Sequence, residues 1–243
     1  MLMCACNPRH TEIGTGIRTV AGQTAAEQLG VELAAVSVET GDTRLPAAPV
    51  SGGSNSTASV CSAVLKACEQ IRRRIFQAVT ASGAGVLAGH DAAALTLQGG
   101  AVVAPDGTSL PLREALQAVG AGVIEEYAEF VPPGVAPDAM QKLCRGSTTM
   151  LRGTKAEAFA FGAEFVELRI HARTREIRVP RLLWAFAAGR IMNTRTARSQ
   201  LMGGLIWRMS AALLEATELD PRSARTVNRD LQDYLVPVNA DVG

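Results

Sequence analysis

Apolar residues recur at steps of three and four through Val60, Val64, Cys68, Ile71, Ile75 and Val79. That stripe predicts an amphipathic helix over residues 57 to 81, with Ser56 or Thr57 as its N-cap and Arg72 to Arg74 on the opposite, solvated face. Residues 17 to 29 show helical apolar spacing with many alanines, and Gly30 is placed to stop them. Residues 31 to 39, rich in β-branched side chains, read as a strand, so the first element pair is an αβ unit. Between the two helical patterns, residues 40 to 56 combine proline, glycine and serine. They predict an ordered loop longer than packing alone requires.

Farther along, residues 85 to 130 read as a small insertion: a hairpin around Gly99-Gly100 and Asp106-Gly107, a short helix from Pro111, and an extended run to Phe130. The polar, proline-bearing stretch 131 to 155 reads as a linker. Residues 161 to 170 and 176 to 187 alternate as two long strands joined by a turn over 172 to 175, an antiparallel hairpin. Leu201, Leu205, Met209 and Leu213 then recur every four residues, which predicts a helix packed on a sheet and capped by Asn193 or Thr194. Residues 228 to 241 read as mostly extended. The fold class expected is α+β, with mixed or antiparallel sheets and packed helices, organised as a first αβ subdomain (1–130), a linker (131–155) and a second αβ subdomain (156–243).

Charge changes this picture little. The 24 basic and 23 acidic residues leave a net charge of +1, so bulk electrostatics supply no field for nucleic acid or an anionic membrane. Nearly all the cations are arginine, lysine standing only at positions 66, 142 and 155; a GC-rich genome accounts for that bias as readily as phosphate binding does. The five cysteines, Cys4, Cys6, Cys61, Cys68 and Cys144, form no Cys-x-x-Cys pair and no Cys/His cluster, which argues against an intrinsic zinc or iron–sulfur site. Cys4 and Cys6 are expected in an unstructured start, and a reducing compartment fits the thiols. No apolar run reaches the ~20 residues of a membrane helix, and the first residues lack the pattern of a secretory signal.

Candidate chemistry concentrates in three small, polar segments that each lead into a helix: Gly14-Thr15-Gly16, Gly52-Gly53-Ser54-Asn55-Ser56-Thr57, and Gly189-Arg190 through Gln200. Helix N-termini carry unpaired N–H groups and partial positive charge, so each is a place for phosphate. The first is a weak signal, since a lone Gly-x-Gly is common in turns. The second adds hydroxyls to two glycines, and the third adds the guanidinium groups of Arg190 and Arg195 to Asn193, Thr194 and Thr196. Glu125, Glu126 and Glu129 have no histidine or hydroxyl partner at informative spacing and read as surface charges. His10, His90 and His171 are scattered, which gives no support to a catalytic triad.

The run Glu12-Ile13-Gly14-Thr15-Gly16, the phrase from Gly41-Asp42-Thr43 through Gly52-Gly53-Ser54 to Ser62, Gly189-Arg190-Ile191-Met192-Asn193 with Ala197 to Gly204, and Asp233-Tyr234-Leu235-Val236-Pro237-Val238-Asn239-Ala240-Asp241 together resemble the molybdenum-binding large subunit of the xanthine dehydrogenase and aldehyde oxidase family. The likeness is nearest to the bacterial branch acting on aldehydes, and it spans nearly the whole chain. It implies an oxidoreductase that oxidises aldehydes or hydroxylates N-heterocycles with water, using molybdopterin, in bacteria usually as the cytosine dinucleotide. It assigns Ile13, Gly14 and Thr15 to the cofactor through backbone groups, with Ser56 and Thr57 contacting it from the second loop. Arg190, Ile191, Met192, Asn193, Thr194, Arg195 and Thr196 would surround its phosphate and nucleotide end, with Gln200 bonding to it from the helix. Iron–sulfur clusters and FAD are expected on partner subunits. The family's glutamate base belongs to a segment expected beyond Gly243, so no catalytic residue is assigned here and the isolated chain is expected to be incompetent. Cys61, Ala187 or Ala188, Thr194, Arg208 and Ser210 depart from the family's usual residues. The alternative reading is a non-catalytic cofactor-binding or assembly protein, or a decaying gene remnant. Location is expected in the cytoplasm, or in the periplasm by export with a partner. The helices 57–81 and 193–215 are expected to expose apolar surface.

Overall fold

In a computed structural model of the protein, residues 2–5, 12–42, 44–45, 48, 51–83, 85–120, 123–136, 138–144 and 159–242 are described. The chain divides into two compact units, Met1–Glu157 and Ala158–Gly243. Helices and small sheets alternate through both, a mixed α+β architecture as expected.

In the first unit, strand β1 (Leu2–Ala5) leads to helix α1 (Ile17–Leu29) and strand β2 (Val36–Glu39), and the two strands pair in parallel with Leu2 opposite Val36 and Ala5 opposite Glu39. The chain start, expected to be unstructured and containing Cys4, is therefore a strand over these residues. Parallel partners need a crossover, and α1 supplies it. The strand read over 31–39 is shorter than its pattern. Leu33–Ala35 form a 3-10 turn whose residues are all exposed, and only Val36–Glu39 are extended and paired.

Helix α1 ends at Gly30, whose left-handed backbone (φ 60°) returns its N–H to the Ala26 and Glu27 carbonyls. Its alanines permit close approach: Ala21 and Ala25 are buried with Ile17, Val20 and Leu29 in the core. Helix α2 (Ser56–Ala81) adds Val60, Val64, Cys68, Ile75, Phe76 and Val79 to the same core. The α2 stripe is thus covered within this unit, and it does not form the exposed patch expected of it.

Strands β3 (Thr96–Gln98), β4 (Ala101–Val103) and β5 (Ser109–Pro111) form an antiparallel meander that contributes Leu97 and Val102 to the core. Helix α3 (Leu112–Ala118) follows it and buries Ala115. Residues 123 to 130, which form no regular element, are tied to α2. The Glu126 carboxylate accepts from Arg74 at 2.7 Å, the Lys66 ammonium donates to the Glu129 carbonyl at 3.2 Å, and the same ammonium lies 5.7 Å from the Phe130 ring centroid. Arg72 reaches across to Gln28 Oε1 of α1 at 3.2 Å. Two of the three arginines read as a solvated face, and Glu126 among the carboxylates read as free surface charges, are therefore structural. Helix α4 (Ala139–Cys144) lies in the stretch read as a linker.

In the second unit, β6 (Phe161–Ile170) and β7 (Ile177–Ala187) make the expected hairpin. Phe161 stands opposite Ala187 and Ile170 opposite Ile177, with a register shift between Glu167 and Arg169. The turn is tied by Arg175 N–H to the His171 carbonyl (2.8 Å) and Thr174 N–H to His171 Nδ1 (3.0 Å). Helix α5 (Thr194–Leu213) follows, and of its predicted stripe only Leu205 is fully buried. A short hairpin that the sequence reading did not anticipate, β8 (Leu219–Asp220) with β9 (Arg225–Thr226), comes next. Beyond it the chain turns repeatedly and is not extended. The Asn228 side chain accepts from Glu218 N–H at 3.0 Å and donates to the Ala216 carbonyl, and Tyr234 O–H donates to Glu215 at 2.9 Å. Local side-chain brackets of this kind satisfy backbone groups that a strand would have paired.

Candidate functional site

The candidate residues fall in both units, five in the first and eight in the second. In the first, the loop Gly14-Thr15-Gly16 carries two left-handed glycines, φ 91° and 80°. Such residues turn successive N–H groups toward one point. That point holds the chain's own carboxylate: Glu12 Oε1 accepts from Gly14 and Gly16 N–H, both at 2.9 Å, and Oε2 from Arg18 N–H at 3.3 Å. Partial burial pushes the Glu12 pKa up, but the backbone N–H groups of Gly16, Arg18, Gly14 and Thr15 outweigh it and hold the carboxyl below the ordinary glutamate range. The N–H groups that a phosphate would use at the start of α1 bond to Glu12. Ile13 is 61% exposed and Thr15 is half-buried.

At the second loop, Gly53 and Ser54 are both left-handed, φ 63° and 57°. Helix α2 begins with Ser56, so Asn55 takes the N-cap position and neither Ser56 nor Thr57 does. Asn55 makes no side-chain cap bond, and its Oδ1, closed to solvent, has no hydrogen-bond partner among the described residues. Buried polar atoms are nearly always satisfied, so an orphan beside the half-buried Ser56 and exposed Thr57 fits a donor supplied by a bound group. Ile17, just after the first loop, and Val60, just after the second, are both fixed in one core.

In the second unit, Gly189 (φ 76°) turns the chain into Arg190, Ile191, Met192 and Asn193. Asn193 is the N-cap of α5: its Oδ1 accepts from Thr196 N–H at 2.9 Å, and the Thr196 hydroxyl donates to the Asn193 carbonyl at 3.3 Å. Thr194 opens the helix proper. Arg190, Thr194, Arg195, Arg198 and Gln200 are exposed, Met192, Asn193 and Thr196 are half-buried, and Ile191 is 45% exposed. No acidic residue occupies the first turn. Arg195, in the first turn, is set against the positive end of the helix, an unfavourable placement of ~0.3–1 kcal/mol that an anion relieves. The donor set is therefore suited to a phosphate.

Away from these loops, His90 and Asp106 form a pair. His90 Nε2 lies 3.2 Å from Asp106 Oδ2, which raises the His90 pKa; Asp106 is held at about 2, first by Thr108 N–H and then by His90. Among the described residues no cluster of histidine, cysteine, aspartate and glutamate could hold a metal ion. Glu12 and Asn55 were not assigned roles by sequence reasoning. A carboxylate two residues ahead of Gly-x-Gly is the signal that could have revealed the first; the second had none.

Residues 7–243 match the family model for the molybdopterin cofactor-binding domain. The chain is 38% identical over 233 residues to the aldehyde oxidoreductase molybdenum-binding subunit PaoC of Escherichia coli strain K12, covering 96% of this chain and 28% of that protein. It is 27% identical over 237 residues to the putative xanthine dehydrogenase molybdenum-binding subunit XdhA of the same strain, covering 96% and 29%. The fold is that of CO dehydrogenase from Oligotropha carboxidovorans (TM-score 0.71, 17% identity, 98% of this chain and 28% of that one) and of quinoline 2-oxidoreductase from Pseudomonas putida 86 (TM-score 0.69, 20% identity, 94% and 27%). The chain thus spans under a third of the length of the relatives it matches. With nearly its whole length in the family model, the chain belongs to the molybdopterin cofactor-binding domain family.

Proposed function

We propose that this chain is the cofactor-holding part of a molybdenum-dependent oxidoreductase acting on aldehydes or N-heterocycles, and that the form it holds is molybdopterin cytosine dinucleotide. The observation that carries the reading is the start of α5, where Arg190 and Arg195 meet a helix N-terminus with no carboxylate in its first turn. Arg190 and Arg195 bind the phosphates by charge-assisted hydrogen bonds. Ile191, Met192, Asn193, Thr194 and Thr196 shape the surface around the nucleotide, and Gln200 supplies a side-chain amide from the next turn. Ile13, Gly14 and Thr15, with Ser56 and Thr57, contact the cofactor in the first unit. When bound, the cofactor supplies two-electron oxidation of a substrate carbon with oxygen drawn from water.

Binding and orientation are what these residues contribute. None of these residues is assigned the role of general base. Electrons leave through iron–sulfur and FAD subunits, a reading supported by relatives named as molybdenum-binding subunits. The assembly resides in the cytoplasm, or in the periplasm when exported with a partner; no helix among the described residues is long and apolar enough to cross a membrane.

Metal and nucleotide analysis tests the reading, using chain purified from a host that makes the cytosine dinucleotide cofactor. Molybdenum and CMP are expected in equal amounts, and both are expected to fall at least about tenfold in Arg190→Ala, the loss of one charge-assisted contact of ~1.5–3 kcal/mol. Absence of both from the unmodified chain, or their full retention in Arg190→Ala, overturns it.

A further inference from the structure

We infer that Glu12 is a positioning residue: its carboxylate fills the nest of N–H groups at the start of α1 and fixes the Gly14-Thr15-Gly16 loop, so that the loop offers a cofactor carbonyl oxygens and the Thr15 hydroxyl. The reading of the loop as a cofactor contact rests on the proposed function. The arrangement of Glu12 does not.

Three backbone N–H groups converge on one side chain within six residues, at 2.9, 2.9 and 3.3 Å. Gly16 occupies the N-cap position yet has no side chain to cap with, so Glu12 performs the capping from four residues away. An ionised carboxylate accepting several N–H groups is a stronger tie than a neutral cap. It also reproduces the charge and oxygen geometry of the anion that a helix N-terminus attracts. A phosphate would have to displace a group already tethered to the same loop, whose effective concentration is far above that of a free anion.

No acidic residue stands in the first turn of either α1 or α5; at α1 the positive end is neutralised by Glu12, which precedes the helix. The groups of a cofactor that can meet the first loop are then hydrogen-bond donors, the N–H groups of a heterocycle, and its phosphates are excluded from it. Among charged groups around Glu12, the Arg18 guanidinium on α1 donates to the Val38 carbonyl at 3.1 Å and Glu39 ends β2; neither contributes to the shift of Glu12.

The test follows the backbone amides of the full chain by nitrogen-15 NMR. On acidification, the Gly14 and Gly16 amide protons are expected to move upfield together, with a shared midpoint below that of an ordinary glutamate, and this titration is expected to vanish in Glu12→Gln. Inorganic phosphate is expected to leave the Gly14 and Gly16 amides unmoved in the unmodified chain and to shift them in Glu12→Ala. Amides that ignore pH, that titrate equally in Glu12→Gln, or that respond to phosphate with Glu12 intact overturn the inference. Cofactor analysis reports separately: a chain without molybdenum whose amides titrate as described refutes the proposed function and leaves the role of Glu12 standing.

Discussion

Replacing Gly30 by alanine perturbs the joint between α1 and the β-meander in three ways that can be added. Gly30 has φ 60°, and its carbonyl accepts Gly100 N–H at 2.7 Å. An added Cβ would lie 2.5 Å from the Leu97 carbonyl carbon and oxygen and 2.7 Å from the Gln98 nitrogen, all backbone atoms. A left-handed alanine costs ~1 kcal/mol, and strand β3 must move to relieve the overlap, weakening a hydrogen bond of ~1 kcal/mol. Displacing the buried Leu97 adds a packing loss of ~1 kcal/mol. Against this, alanine reduces the freedom of the unfolded chain by ~0.4–1 kcal/mol. The net expectation is a destabilisation of ~2 kcal/mol, a fall in melting temperature of about 4–8 °C for a unit of this size.

Gly120→Ala is the control. Gly120 also follows a helix with φ 70°, but nothing lies within 4 Å of an added Cβ, so it should show the backbone strain without the steric overlap, ~1 kcal/mol or less after the unfolded-state gain. Both are measured by urea unfolding followed at 222 nm. Equal losses in the two variants would refute the argument, because they would mean that the contact between Gly30 and β3 contributes nothing.

Further expectations concern charge and exposed surface. The His90–Asp106 pair contributes stability above the ordinary carboxylate range, where Asp106 is ionised; the contribution fades as pH falls toward about 2 and again as pH rises through the raised His90 pKa. Asp106→Asn should therefore lower the His90 pKa toward the ordinary histidine value in a proton NMR titration, and an unchanged midpoint would dissolve the pair. In the second unit Phe161, Phe165, Leu183 and Trp207 are 72%, 64%, 51% and 71% exposed. The chain alone should bind a hydrophobic dye and associate with rising concentration, and Phe165→Glu should reduce both; a monodisperse monomer at every concentration in light scattering would contradict this.

Helices α1 and α2 were legible because a 3.6-residue pattern is local, and Gly30 ended α1 where the sequence placed it. Strand β1 was not, since four residues acquire strand character from a partner more than thirty positions away, and no local pattern encodes that pairing. The same limit hid the 123–130 segment, whose Glu126 looked solvated until Arg74 met it from α2. At the candidate site, residue types predicted anion chemistry at all three helix starts. The arginines of α5 were legible as residue types, whereas the bonds from Gly14 and Gly16 N–H to Glu12 at α1 are visible only in the geometry.

Strands β6 and β7 each have a ladder neighbour on one side only among the described residues. A two-stranded ribbon has two outer rims of backbone donors and acceptors, and such rims are where sheets grow. The charged pairs Glu167–Arg169 and Glu176–Arg178 lie toward the turn, where ionic side chains discourage the approach of another strand. The opposite end, where Phe161 faces Ala187 and Ala163 faces Ala185, has no such guard. A further strand would therefore meet least ionic opposition at the end of the ribbon that Phe161 and Ala187 occupy.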